Sequence, residues 1–143
     1  MDKRHTLKPI NILMLDDSPD DHELVRVIFE REKIANNLQQ ATTKEEAFES
    51  LSSGEPCLFF IDMRLGVERG LDVLEEAYEE GLMENAIPIA LSSCGDIETM
   101  ARADLLGIPI WVDKPLNTEK LLYVMQQFPT LKMAIMTPPE KAA

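Results

Sequence analysis

The sequence predicts an α/β domain built on a doubly wound, five-stranded parallel sheet with helices on both faces. Five short apolar runs are separated by stretches of helical periodicity, and such alternation calls for crossover connections and parallel pairing. The runs are mostly continuously apolar, which suits strands covered on both faces. Chemically capable residues, Asp16, Asp17, Asp62, Ser92 and Lys114, stand where four of the runs stop.

Residues Met1 to Pro9 read as a polar, basic arm, and the domain is expected over residues 10–128. Ile10 to Leu15 is the first strand, ending at Asp16-Asp17-Ser18-Pro19-Asp20-Asp21. Pro19 fits the first turn of a helix, and Asp20, Asp21 and Glu23 suit its positive end. That helix is expected to run to about Lys33, with Leu24, Val27 and Ile28 on a core stripe and Val25 and Phe29 beside it. His22 reads as a solvated surface residue, because it has no Cys, His or spaced carboxylate partner to make it a ligand. Asn36 and Asn37 break the chain before a short second strand, Leu38 to Ala41. Thr43-Lys44-Glu45-Glu46 is a capping box with Thr43 as N-cap and Glu46 as its reciprocal partner. It opens a helix carrying Ala47, Phe48 and Leu51 that closes near Gly54.

Cys57 to Ile61 is the most apolar run and the expected centre of the sheet, with Asp62 at its carboxyl end. Leu71, Leu74, Ala77 and Tyr78 then recur at helical spacing until Gly81. Ile87 to Leu91 is the fourth strand, with Pro88 tolerated at its beginning, and it ends at Ser92-Ser93. A helix from about Asp96 to Leu106 stops at Gly107. The fifth strand, Ile108 to Val112, reaches Asp113-Lys114-Pro115, and a last helix from Asn117 to Phe128 presents Leu121, Leu122 and Met125. Residues 129–143 read as a C-terminal tail.

Composition narrows the function. The 143 residues, 45% hydrophobic, suit one domain with an adequate core. Fourteen basic against 26 acidic residues, a net charge of −12, argue against nucleic acid, whose binding rests on cationic contacts to phosphates. A divalent cation or a basic protein surface suits that charge. No run of about 18 apolar residues calls for a membrane, and no apolar segment follows the basic start as in a secretory signal, so a cytoplasmic location is expected. Cys57 and Cys94 lack metal-ligand spacing; Cys57 reads as a core residue and Cys94 as a loop residue near the site.

In a doubly wound sheet the carboxyl ends of the strands share one rim, so residues remote in sequence form one pocket. Taken alone, Asp62 is equally well read as a turn cap. Grouped with Asp16 and Asp17 it is one of three mutually repelling carboxylates, each pair costing about 4 kcal/mol at ~4 Å and an effective dielectric near 20. An all-oxygen cluster of this kind suits Mg²⁺. Lys114 adds a mobile positive charge and Ser92 a hydroxyl donor. Such a set can let one carboxylate attack a phosphoryl group.

These residues resemble, in order and spacing, the receiver domain of two-component response regulators over roughly Ile10 to Phe128. The shared features are the acid pair Asp16-Asp17, the acid Asp62, the hydroxyl Ser92 and the pair Lys114-Pro115. The resemblance implies the flavodoxin-like, CheY-like (βα)5 fold with strand order 2-1-3-4-5. It implies phosphoryl transfer to Asp62 from a histidine kinase or histidine phosphotransfer protein. It makes Asp16, Asp17, Asp62 and the backbone carbonyl of Arg64 the Mg²⁺ ligands, and Ser92 and Lys114 the contacts to phosphoryl oxygens. Ser92 and Trp111 would form the switch that repacks the face of the fourth helix, fifth strand and fifth helix. A stand-alone regulator, monomer or weak dimer, follows, with no DNA-binding domain and no catalysis beyond its own phosphorylation and dephosphorylation. Its downstream protein target is not named by the sequence.

Departures from the family pattern concentrate around Asp62. Gly66 stands where Pro is frequent, so the loop Met63 to Gly70 is expected to bend differently or to be more mobile. Ser93 and Cys94 follow Ser92 in place of a small apolar residue, Trp111 is larger than usual, and Asp113 is unexpected beside Lys114. Two other classes remain open from the residues alone. One is a pseudo-receiver, an interaction module that works without phosphorylation. The other is a Mg²⁺-dependent phosphatase, weakened by Arg64 standing where a second acid is wanted. Nucleotide binding is disfavoured by acids after the first strand, where a phosphate-cradling loop places Gly.

Overall fold

The structure is a computed structural model and describes residues 9–93 and 97–127. The expectations for the arm, the tail, Cys94, Asp96 and Phe128 lie outside those residues. In chain order the elements are β1 (Ile10–Leu15), α1 (Pro19–Arg31), β2 (Asn36–Ala41), α2 (Lys44–Ser52), β3 (Leu58–Asp62), β4 (Arg64–Leu65), β5 (Glu68–Arg69), α3 (Gly70–Glu79), β6 (Ile87–Ser92), α4 (Ile97–Leu105), β7 (Ile110–Asp113) and α5 (Thr118–Gln126). The main sheet is five-stranded and parallel, in the order β2-β1-β3-β6-β7. This is the expected 2-1-3-4-5 order, since β4 and β5 form a separate antiparallel hairpin.

Side-chain alternation along the central strands builds two cores. Ile10, Ile12, Met14, Leu58 and Phe60 pack with Val25, Ile28 and Phe29 of α1 and Leu121, Val124 and Met125 of α5. Leu13, Leu15, Phe59 and Ile61 face the other way, onto Ala47 and Leu51 of α2 and Val73, Leu74 and Ala77 of α3. Phe29, Phe59 and Phe60 are among the largest fully buried side chains. At about 25 cal/mol per Å² of apolar surface, each contributes on the order of 2–3 kcal/mol.

Several local expectations need correction. Asn36 and Asn37 do not break the chain; they begin β2, paired with Ile10 and Asn11 of β1. An edge strand needs ladder hydrogen bonds on one side only, so a polar strand is accommodated there. Val27 is exposed and the buried face of α1 is His22, Val25, Ile28 and Phe29. Tyr78 is 40% exposed rather than core. Cys57 is half-buried, packed against the core with its thiol directed to the Asn11 carbonyl. The last strand starts at Ile110, not Ile108, and extends through Asp113. Glu46 completes the cap of α2 one residue earlier than expected. Its amide donates to Thr43 Oγ1, while its carboxylate accepts from the Thr42 amide.

Pro88 stands second in β6, a strand flanked on both sides. The Ile87 amide donates to Cys57 on the β3 side, so position 88 faces β7. Pairing with β7 begins only at Ile89, opposite Ile110. The missing N–H therefore falls where the ladder has not started.

Candidate functional site

The sheet's register assembles the site. Leu15 pairs with Ile61, so the next residues, Asp16 and Asp62, leave the rim side by side. Both have even numbers in strands whose even residues face α1 and α5, so both carboxylates turn toward the start of α1. Ser92 ends β6 opposite Asp113, and the Lys114 amide donates to the Ser92 carbonyl. Lys114 thus follows the last strand onto the same rim. Its peptide bond to Pro115 is cis, and Lys120 Nζ holds the turn by donating to the carbonyls of Asp113 and Pro115 at 2.9 and 3.0 Å.

One ammonium gathers three carboxylates. Lys114 Nζ lies 2.8 Å from Asp16 Oδ2, 2.6 Å from Asp21 Oδ2 and 3.1 Å from Asp62 Oδ2. Burial works against the charged lysine, but its hydrogen bonds to Asp16 and Asp21 outweigh that and hold its pKa above the usual range. Asp16 is fully buried, and desolvation pushes its carboxyl from 3.8 up to about 6 despite the Lys114 hydrogen bond. The other oxygen of Asp16 accepts from the Ser18 amide, and Asp62 Oδ1 accepts from the Arg64 amide at 3.0 Å. Asp17 is exposed, yet one oxygen each of Asp16, Asp17 and Asp62 lie within 4.8 Å of one another. Three hard oxygen donors at that spacing fit a small divalent cation such as Mg²⁺.

The turn beyond Asp62 is a hairpin. Gly66 and Val67 connect two-residue strands in which Arg64 stands opposite Arg69. Gly66 has φ +62 and Val67 does not share it, the pattern of a two-residue turn with glycine first. A Pro there could not adopt that φ, so this turn depends on glycine. A side-chain carbon at Gly66 would stand 3.8 Å from Asp17 Oδ2, so the hairpin folds back over the acids. Lys44 ties it down, reaching Glu68 and Glu76. Gly70 is required for close approach, because a Cβ there would meet the Asp62 carbonyl oxygen at 2.2 Å. Asp62, Arg64, Gly66, Arg69, Ser92 and Arg102 are among the residues lining a cavity of about 580 Å³ between hairpin and α4.

All the sequence-predicted site side chains except Trp111 reach this rim. Trp111 is half-buried on β7, opposite Ala90. Two residues were not expected. Asp21 was read only as a helix-end acid, and nothing near it in sequence points to Lys114, 93 residues away. His22 is not a surface residue. It is 5% exposed, and its Nε2 donates to the Asp16 carbonyl at 2.7 Å and the Ala41 carbonyl at 3.1 Å. Two acceptors require the Nε2–H tautomer, and Nδ1 is buried without a partner among the described residues. The available signal was spacing, since His22 stands three and seven residues before Val25 and Phe29 on the buried stripe.

The family model described as the response regulator receiver domain matches residues 12–126. The chain belongs to that family. This receiver domain is 23% identical over 128 residues to the probable C4-dicarboxylate response regulator DctR of Priestia megaterium, covering 90% of this chain and 55% of that protein. It therefore spans about half the length of that curated relative. Among solved structures it resembles a CheY-like response regulator receiver domain protein from Methanospirillum hungatei JF-1, with a TM-score of 0.75 and 21% identity over 95% of this chain and 100% of the other. It also resembles a chain of the CheX-CheY-BeF3-Mg²⁺ complex from Borrelia burgdorferi, with a TM-score of 0.74 and 25% identity over 89% and 95%. Among the described residues, no helix of the receiver domain is long and apolar enough to cross a membrane.

Proposed function

We propose that this receiver domain takes a phosphoryl group onto the Asp62 carboxylate from a phosphohistidine of a histidine kinase or histidine phosphotransfer protein. The observation that carries the proposal is the convergence of Asp16, Asp21 and Asp62 on the single Lys114 ammonium, at the rim where Asp62 opens into a cavity. An oxygen of Asp62 forms the new bond to phosphorus as the P–N bond breaks, and the imidazole leaves with that electron pair. Asp16, Asp17, Asp62 and the Arg64 backbone carbonyl are the ligands assigned to Mg²⁺, which when bound neutralises charge on the phosphoryl oxygens. Lys114 and the Ser92 hydroxyl contact those oxygens.

The added charge of about −1.5 to −2 pulls on Lys114 and Ser92, and through β6 and β7 it biases Trp111 and the α4-β7-α5 face. Met100, Leu105 and Tyr123 are 49%, 87% and 57% exposed on α4 and α5, which supports a protein-binding role for that face. The domain acts as a monomer or weak dimer on a downstream protein, without turning over other phosphate esters. The stand-alone reading belongs to the same proposal.

The deciding experiment is intact-mass analysis after incubation with acetyl phosphate and Mg²⁺. The expected result is one phosphoryl per chain for the wild type and none for Asp62→Asn. An unmodified wild type that also ignores beryllofluoride would leave the interaction-only module as the better account.

A further inference from the structure

We infer that Asp21 is a positioning residue that holds Lys114 in the resting protein and thereby opposes its transfer to a phosphoryl group on Asp62. The inference rests on the proposed phosphoryl acceptance and adds a residue that sets how readily it happens. Its geometry starts in the local sequence. Ser18 is the N-cap of α1, its hydroxyl accepting from the Asp21 amide, and Pro19 opens the first turn. This places Asp21 in the first turn, where the helix dipole favours its charge, with Oδ2 2.6 Å from Lys114 Nζ. That is the shortest of the three contacts to the lysine, the one to Asp62 being 3.1 Å.

Exposure decides which carboxylate can release the ammonium. The Asp16 side chain is 0% exposed and Asp62 7%, so leaving either without its cation strands a buried charge. Asp21 is 25% exposed and can be rehydrated when Lys114 leaves. It is therefore the releasable partner. A phosphoryl group on Asp62 competes with Asp21 for the same ammonium, and breaking the Lys114–Asp21 pair is part of the cost of activation.

The test is calorimetric titration of the metal-loaded protein with beryllofluoride at saturating Mg²⁺. Asp21→Asn and Asp21→Ala are each expected to bind beryllofluoride about five-fold more tightly than wild type, the scale of one partly exposed ion pair. Asp21→Glu, which restores a carboxylate, is expected to stay within about two-fold. Asp20→Asn makes the same charge change on an exposed neighbour outside the Lys114 cluster and serves as the electrostatic control. Equal effects of Asp20→Asn and Asp21→Asn would overturn the inference, as would weaker binding by both Asp21 variants. A wild type that binds no beryllofluoride would instead overturn the proposed phosphoryl acceptance, and this inference with it.

Discussion

Replacing Lys114 with Met removes the positive charge shared by Asp16, Asp21 and Asp62 while keeping most of the side chain's volume. At an effective dielectric near 20, carboxylate oxygens ~4.8 Å apart repel by about 3.5 kcal/mol, so Asp16 and Asp62 alone introduce strain of that size. Protonation limits the penalty. A carboxyl with an ordinary value of 3.8 takes up a proton at pH 7 at a cost of about 4.4 kcal/mol. The metal-free variant should therefore lose about 3–4 kcal/mol at pH 7, in line with the ~3–5 kcal/mol typical of breaking a buried ion pair. At pH 5 the same escape costs about 1.6 kcal/mol, so the deficit should fall below ~2 kcal/mol. Mg²⁺ should recover more stability in the variant than in wild type, because it restores the missing positive charge. Urea unfolding followed by Trp111, the one tryptophan of the chain, measures all three quantities. A deficit in EDTA under ~1 kcal/mol at pH 7, or one that does not shrink at pH 5, would refute Lys114 as the neutralising group.

Asp16 has its own pH signature. Its folded-state carboxyl is raised to about 6 from 3.8, so its contribution is full below ~4 and lost as pH rises toward ~6. In metal-free protein, the stability of Asp16→Asn relative to wild type should therefore rise across that window and level off above it; a flat difference in urea midpoints counts against the buried charge. Gly70→Ala should destabilise by about 2–3 kcal/mol and slow phosphorylation, since its Cβ can be fitted only by moving the Asp62 backbone. Unchanged unfolding and rate would show that the α3 start yields without cost. His22→Leu should lose about 1–3 kcal/mol by stranding the Asp16 carbonyl, and Mg²⁺ affinity measured by titration should fall as Asp16 loses its backbone anchor. Wild-type stability in this variant would make His22 mere filling.

How much was legible followed the range of the forces involved. Continuous apolar runs identify central strands because two covered faces leave no room for polar alternation, and β1, β3 and β6 were read within a residue or so. β2 was read late because an edge strand needs no such run, so Asn36 and Asn37 looked like a break. Val27 and His22 exchanged their expected places because the face α1 buries is centred on His22, Val25, Ile28 and Phe29, a choice that hydrophobicity alone does not specify. Buried imidazole is acceptable when its N–H finds acceptors, and those carbonyls belong to Asp16, just past the end of β1, and Ala41, the last residue of β2.

By itself, the sequence determined the alternation of strand and helix, the identity of the acids, hydroxyl and lysine at the strand ends, and Thr43 as the cap that starts α2. These depend on local periodicity and on the common rim that any doubly wound sheet provides. Only the tertiary structure decided that Asp21 shares Lys114 with Asp16 and Asp62, that His22 anchors Asp16, and that residues 64–69 form a hairpin over the acids. Each depends on distances between groups far apart in sequence or on one glycine's φ. An ammonium can choose among carboxylates only after the sheet register has brought them within 3 Å or so.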